Sequence, residues 1–191
     1  MAFNWFDVLL IAALGGGMVQ GRRRGMSIEW LALLQWLIIL FGCALVYQPV
    51  ALLISRPGFF SIVSSCLIAY LGATLLLLLG FSWADRHLRP KLVKSDFFGR
   101  SEYYLGMASG LLRASCILLV GLALLNARTF TPAEVKQMEA YESSAYGSHV
   151  FPSLPTVQSG VFDQSLTGPW IKDKLGFLLI HSTTNQLASS R

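Results

Sequence analysis

The sequence predicts an all-α integral membrane protein with four transmembrane helices in two hairpins, followed by a polar C-terminal tail that contains short helices. Only 13% of the 191 residues are charged, against roughly 25% in soluble domains. The apolar residues fall in separate stretches, each close to the ~20 residues that cross a hydrocarbon core of ~30 Å. We therefore predict a membrane domain over residues 1–126 and a tail over residues 127–191.

The first predicted span covers residues 4–20. Ala12 and Gly16 form a small-xxx-small pair of the kind that lets two helices approach closely. The basic segment that follows, Gly21 to Gly25, is predicted to form a tight hairpin.

The second predicted span covers residues 27–47. Ser27 is a candidate N-cap, and Glu29 is favoured near the positive N-terminus of a helix. Pro49 is predicted to mark the exit, so the apolar patch at 50–54, which is too short to cross, is assigned to the membrane interface.

The third and fourth predicted spans cover residues 59–83 and 104–126, with a polar, basic stretch at 84–102 between them. Eight Lys/Arg residues lie in the two basic segments, 22–24 and 86–100. Four spans place both segments on one side, and the positive-inside rule makes that side cytoplasmic. Both termini are therefore expected to be extracytoplasmic.

The tail contains two helix signals. Residues 131–134 resemble a capped, proline-initiated helix start and predict a helix to about residue 146. Ile171, Leu175 and Leu178 share a face of a weak amphipathic helix that packs on the bundle or lies on the membrane. A loosely ordered tail with one helical patch is the alternative.

Arg113 lies inside the fourth apolar stretch, where a cation costs roughly 2.5–3.5 kcal/mol on insertion scales. Gly106, Gly110 and Arg113 fall at i, i+4 and i+7 and so share one helical stripe. Since the glycines invite another helix onto that stripe, we expect Arg113 to be buried near Glu29 or the cytoplasmic half of the first span. Snorkelling towards the head groups is the competing explanation.

Asp7 and Glu29 are the acidic residues nearest the membrane, and two interpretations stay open for them. They are helix-end charges at the two interfaces, or they form a polar interior track with Gln35 and Arg113 that conducts ions.

Nothing in the sequence predicts catalysis, a cofactor or a metal site. The three histidines are far apart, the three cysteines fall in different spans, and no nucleophile or zinc motif occurs. The net charge of +5 is concentrated in the basic loops, so we expect no nucleic-acid partner.

The spacing of the polar and glycine residues resembles that of the colicin V production (CvpA) family of bacterial inner-membrane proteins. The matching positions are Asp7, Arg24-Gly25, Glu29, Leu105-Gly106, Gly110 and Arg113. The resemblance covers roughly residues 1–126, with a weaker echo over 143–152. Glu102 and Tyr103 stand where the family has an aspartate–arginine pair, and Ala114 replaces a glycine.

The resemblance implies a multi-pass protein of the bacterial inner (cytoplasmic) membrane, associated with colicin V production or export and with envelope homeostasis. We expect a non-enzymatic accessory or scaffold whose partners are the lipid bilayer and a second copy of itself or another membrane protein. The alternative is an oligomeric transporter or channel that uses Arg113 and a membrane-embedded acid.

Overall fold

The computed structural model of the chain describes residues 4–56, 62–93, 101–127, 135 and 154–180. Within these ranges the protein is all-helical and contains no strand, which confirms the predicted class. The long helices are α1 (Trp5–Arg24), α2 (Met26–Ser55), α3 (Ile62–Val93) and α4 (Glu102–Leu125). The tail contains α5 (Leu154–Ser159), which continues as a π-helical turn (Gly160–Gln164), then α6 (Gly168–Lys174) and a 3₁₀ turn (Gly176–Leu178).

Among the described helices, three are long and apolar enough to cross a membrane: α2, the segment Val63–His87 of α3, and α4. The first predicted span corresponds to α1, which has 20 residues, or about 30 Å at 1.5 Å per residue. Its overall hydropathy is lower because it contains Asp7, Gln20 and three arginines in its last turn. The three apolar helices therefore support a membrane location, and the crossing of α1 stays a prediction.

The packing order of the four long helices differs from two self-contained hairpins. Helix α4 packs extensively on both α1 and α2, whereas α1 and α2 touch each other only slightly. Helices α2 and α3 are antiparallel, with Cys43 Sγ 3.4 Å from Thr74 Oγ1 and the rings of Tyr47 and Tyr70 edge to face. The order across the bundle is thus α1, α4, α2, α3.

Two predicted helix ends are wrong. Helix α2 does not end at Pro49 but continues to Ser55, so the patch at 50–54 is its last turn. Proline removes one backbone hydrogen bond, and burial of Ala51 together with packing of Ile54 on the core keeps the helix intact beyond it. Similarly, α3 continues to Val93, so the first half of the predicted basic loop is helical.

The turn between α1 and α2 is also shorter than predicted. Helix α1 runs through Gly21 to Arg24, and Gly25 alone forms the turn, with a positive φ of 74°. The predicted cap at Ser27 is wrong, because Gly25 is the N-cap of α2 and Ser27 lies inside the helix.

The tail packs against the end of the bundle where α1 begins and α4 ends. The side chain of Asn126 donates to the carbonyl of Ile180, and Gln158 donates to the carbonyl of Leu125. Ile171 and Leu178 are buried and Leu175 is partly buried against the core. Of the two alternatives for this amphipathic segment, packing on the bundle is confirmed. The helix predicted over 131–146 lies outside the described residues except for position 135, which is helical.

Candidate functional site

Helices α1 and α4 are in backbone contact through four glycines. A Cβ atom added at Gly21 would overlap the carbonyl of Gly106, and one added at Gly110 would overlap the carbonyl of Gly17. Residue numbers rise along α1 as they fall along α4, so the two helices are antiparallel. The predicted glycine stripe of α4 therefore faces protein, as expected from Gly106 and Gly110.

On α1 the predicted contact pair is wrong. Ala12 and Gly16 are exposed, and a Cβ added at Gly16 would meet nothing within 4 Å. The contact uses Gly17 and Gly21, the same four-residue spacing on the next stripe of the helix. The sequence predicts Gly21 in the hairpin turn and so does not reveal the pair that Gly21 forms with Gly17.

The glycine contact places Arg113 between α1 and α2. Its Nε lies 2.8 Å from Oε1 of Glu29, and its Nη2 donates to Oε1 of Gln20 at 2.6 Å. Glu29 is fully buried and Arg113 is 8% exposed. The predicted position of Arg113, buried near Glu29 and the last turns of the first span, is confirmed, and snorkelling is excluded.

One guanidinium thus connects three helices. Arginine presents its donors in a rigid planar fork, so it can bind a carboxylate with one edge and an amide oxygen with another. Arg24 adds a longer contact, with its Nη1 3.6 Å from Oε2 of Glu29, and its side chain is half-exposed. The buried carboxylate is therefore neutralised chiefly by Arg113.

Gly25 closes the same end of the site. Its amide donates to the carbonyl of Gly21, and the carboxylate of Glu102 lies where a Cβ of residue 25 would be. The positive φ favours glycine at this position, whereas the flexible Glu102 side chain could move away from a Cβ atom. Arg24 and Gly25 thus hold the start of α2 beside the start of α4.

Asp7 lies at the opposite end of α1 and does not join this site. It forms a capping box with Asn4, and its carboxylate accepts hydrogen bonds from the amides of Leu166 and Thr167 and from the Thr167 hydroxyl at 2.8 Å. Thirteen residues, roughly 20 Å along a helix, separate it from Gln20. Asp7 is a helix-end charge that ties the tail to the bundle, and the interpretation of a continuous track through Asp7 is wrong.

The amide that binds Arg113 is that of Gln20, whereas the sequence interpretation named Gln35. Gln20 lies next to Gly21 at the border of the predicted span, and its proximity to a tight glycine contact was the available signal. Within the described part of the chain, no group of three or more His, Cys, Asp or Glu residues is placed to hold a metal ion.

Three helices are apolar and long enough to cross a membrane, two helices touch through glycines, and a buried Glu–Arg pair joins two helices. These features define a helical membrane protein with a buried ion pair between its helices. The colicin V production protein family matches residues 6–155. The chain belongs to this family. The match extends past the membrane domain and includes the segment 143–152, which lies outside the described residues. No curated protein sequence and no solved structure matches the chain.

Proposed function

We propose that the protein is a multi-pass inner-membrane protein that acts as a non-enzymatic accessory or scaffold in colicin V-like toxin production or export, or in envelope homeostasis. The observation that carries the proposal is the buried Glu29–Arg113 ion pair, which together with the Gln20 contact links three helices of one chain. Separating the partners of such a pair would leave an uncompensated buried charge, so the pair opposes rearrangement of the helices that carry it.

In this proposal α1 also crosses the membrane, which gives four spans in all. The arginines at its C-terminus and Arg86 of α3 lie towards the same end of the bundle, because α3 is antiparallel to α2. The tail covers the other end. Positive-inside orientation then puts the arginines in the cytoplasm and both termini outside.

A scaffold also needs a surface for partners. Helix α3 packs chiefly on α2, and it exposes Leu71, Leu75, Leu76 and Leu79, each by more than half of its accessible surface. In a bilayer such a face contacts lipid or another apolar helix. We propose that it contacts a second copy of the chain or another membrane protein.

The test is photo-crosslinking in native membranes. A photoreactive residue replacing Leu76 should yield a crosslinked species, whereas the same residue replacing Trp170, an exposed tail position, is the matched control. Failure of every position on α3 to crosslink to any protein, with the chain remaining monomeric in mild detergent, would contradict the scaffold proposal.

The second candidate is an oligomeric transporter or channel in which Arg113 and Glu29 contribute to a pathway. Its support is that the pair is ionic and that Arg113 also lines a groove on the side of the bundle. Four helices can scarcely enclose a pore, so this candidate requires several copies. Reconstituted vesicles that show no flux of protons, ions or peptide under any imposed gradient would exclude it.

A further inference from the structure

A groove of about 650 Å³ runs along the side of the α1–α4 contact. Volumes of roughly 300–1,000 Å³ are typical of sites that hold small molecules. Gly15 and Gly16 contribute its depth, because a Cβ at either position would meet nothing within 4 Å. The walls come from both helices and comprise Ala13, Gly15, Gly16, Gly17, Val19, Gln20 and Arg23 on α1, and Arg113, Ala114, Ile117 and Leu118 on α4.

The groove is polar at one end and apolar along the rest. Arg23 and Val19 also line a second cavity of about 490 Å³, together with Arg22 and Tyr103, so the two spaces meet at the last turns of α1. Arg22, Arg23 and Tyr103 are exposed. Away from this end, Ile117 and Leu118 face the open glycines.

The charge at the polar end is positive. Arg22, Arg23, Arg24 and Arg113 lie here, and among the described residues Glu29 contacts Arg24 and Glu102 lies beside Gly25. Glu29 is fully buried and already paired with Arg113. Arg22 and Arg23 therefore remain to attract an anion at the mouth of the groove.

We propose that this groove binds one phospholipid with an anionic head group. The phosphate contacts Arg22 and Arg23, and an acyl chain lies along Gly15 and Gly16 against Ile117. The inference rests on the proposed crossing of α1, which places its arginines at the membrane surface and its glycines in the hydrocarbon. Basic sites between helices on the cytoplasmic side suit acidic lipids. An apolar helix in the same groove would leave the two arginines without a counter-charge.

The test titrates the purified full-length protein in neutral detergent with dioleoyl phosphatidylglycerol, and in parallel with dioleoyl phosphatidylcholine, and follows bound lipid by native mass spectrometry. We expect phosphatidylglycerol to bind more tightly. The double variant Arg22→Gln/Arg23→Gln should weaken its binding about 30-fold, which corresponds to ~1 kcal/mol per cation at ~1.4 kcal/mol per tenfold.

Filling the groove provides a separate test. Gly16→Leu places a side chain in open space and should reduce binding of both lipids at least tenfold without unfolding the protein. Gly80→Leu is the matched control, because Gly80 is an exposed glycine of α3 with equally open space around it and lies outside the groove. Circular dichroism of each variant checks that the helices are retained.

Four results would overturn the inference. One is unchanged lipid binding by Gly16→Leu, and another is equal affinity for the two lipids. The third is glycerol phosphate, the soluble head group, binding as tightly as the whole lipid. Disulfide dimers through Gly16→Cys in a cysteine-free background would show that a second copy occupies the groove instead. Selective lipid binding without any protein partner would refute the scaffold role and leave the lipid site intact.

Discussion

Breaking the Glu29–Arg113 pair should destabilise the protein far more than removing the pair as a whole. Removing one partner of a buried pair leaves an uncompensated charge and costs about 3–5 kcal/mol, whereas replacing both with apolar residues is often close to neutral. For a chain of this length about 1 kcal/mol shifts the melting temperature by roughly 2–4 °C on the scale of soluble domains. We expect each single variant, Glu29→Leu or Arg113→Leu, to lower the apparent melting temperature by about 10 °C.

The two single variants should not be equal. In Arg113→Leu the remaining Glu29 carboxylate keeps its contact with the positively charged Arg24. In Glu29→Leu the remaining guanidinium keeps only the neutral amide of Gln20. Glu29→Leu is therefore the more damaging change, and the double variant should recover most of the loss. Arg113→Lys should also destabilise, because an ammonium lacks the planar fork that contacts Glu29 and Gln20 together.

The protein carries its own reporter for this measurement. Cys43, Cys66 and Cys116 are buried free thiols, so a thiol-reactive dye will report their exposure as the protein is heated in mild detergent. Asp173→Asn is the control, because it removes the exposed pair with Lys174 and should leave the melting temperature unchanged. Additive effects of the two leucine substitutions would refute the reasoning, since they would show that the side chains do not interact.

Three further predictions follow from the contacts of α1. Gly110→Ala should lower the apparent melting temperature by several degrees, because overpacking costs ~1–3 kcal/mol and the new Cβ meets the α1 backbone, whereas Gly121→Ala, in open space, should not. Asp7→Asn should make the tail more sensitive to limited proteolysis, because the carboxylate that accepts tail amides is weakened; an unchanged digestion pattern would contradict this role. In intact cells lacking the native cysteines, a cysteine at Arg23 should be protected from an impermeant thiol reagent and one at Ser159 should label; the reverse would show an inverted orientation.

The sequence predicts a helix correctly where a single local property, such as the length of an apolar stretch, determines it. Apolar length alone located α4, predicted over 104–126 and observed over Glu102–Leu125. The prediction that the second span ends at Pro49 is wrong because tertiary packing overrides the local preference there. A proline disfavours helix locally, and packing of the following residues on the core, which no local pattern reveals, keeps α2 helical to Ser55.

The glycine register of α1 shows a second limit. Gly15, Gly16 and Gly17 are consecutive, so the small-residue spacing fits more than one stripe of the helix. Which stripe is used depends on the helix opposite, and the sequence does not state that α4, rather than α2, packs along α1. The contact pair Gly17 and Gly21 can be identified only once α4 is known to pack along α1.

The glycine contact and the ion pair are consequences of the same placement. The backbones of α1 and α4 touch at Gly110, less than one turn before Arg113, so the guanidinium reaches Gln20 on α1 while it pairs with Glu29 on α2. A wider separation of α1 and α4 would first lengthen the 2.6 Å hydrogen bond from Arg113 to Gln20. The guanidinium would then contact Glu29 without the second bond that fixes its orientation. Small residues and a buried charge near one another in a membrane helix therefore carry more information jointly than either does alone. The glycines determine how closely α1 and α4 approach each other, and Arg113 needs that short distance to reach Gln20.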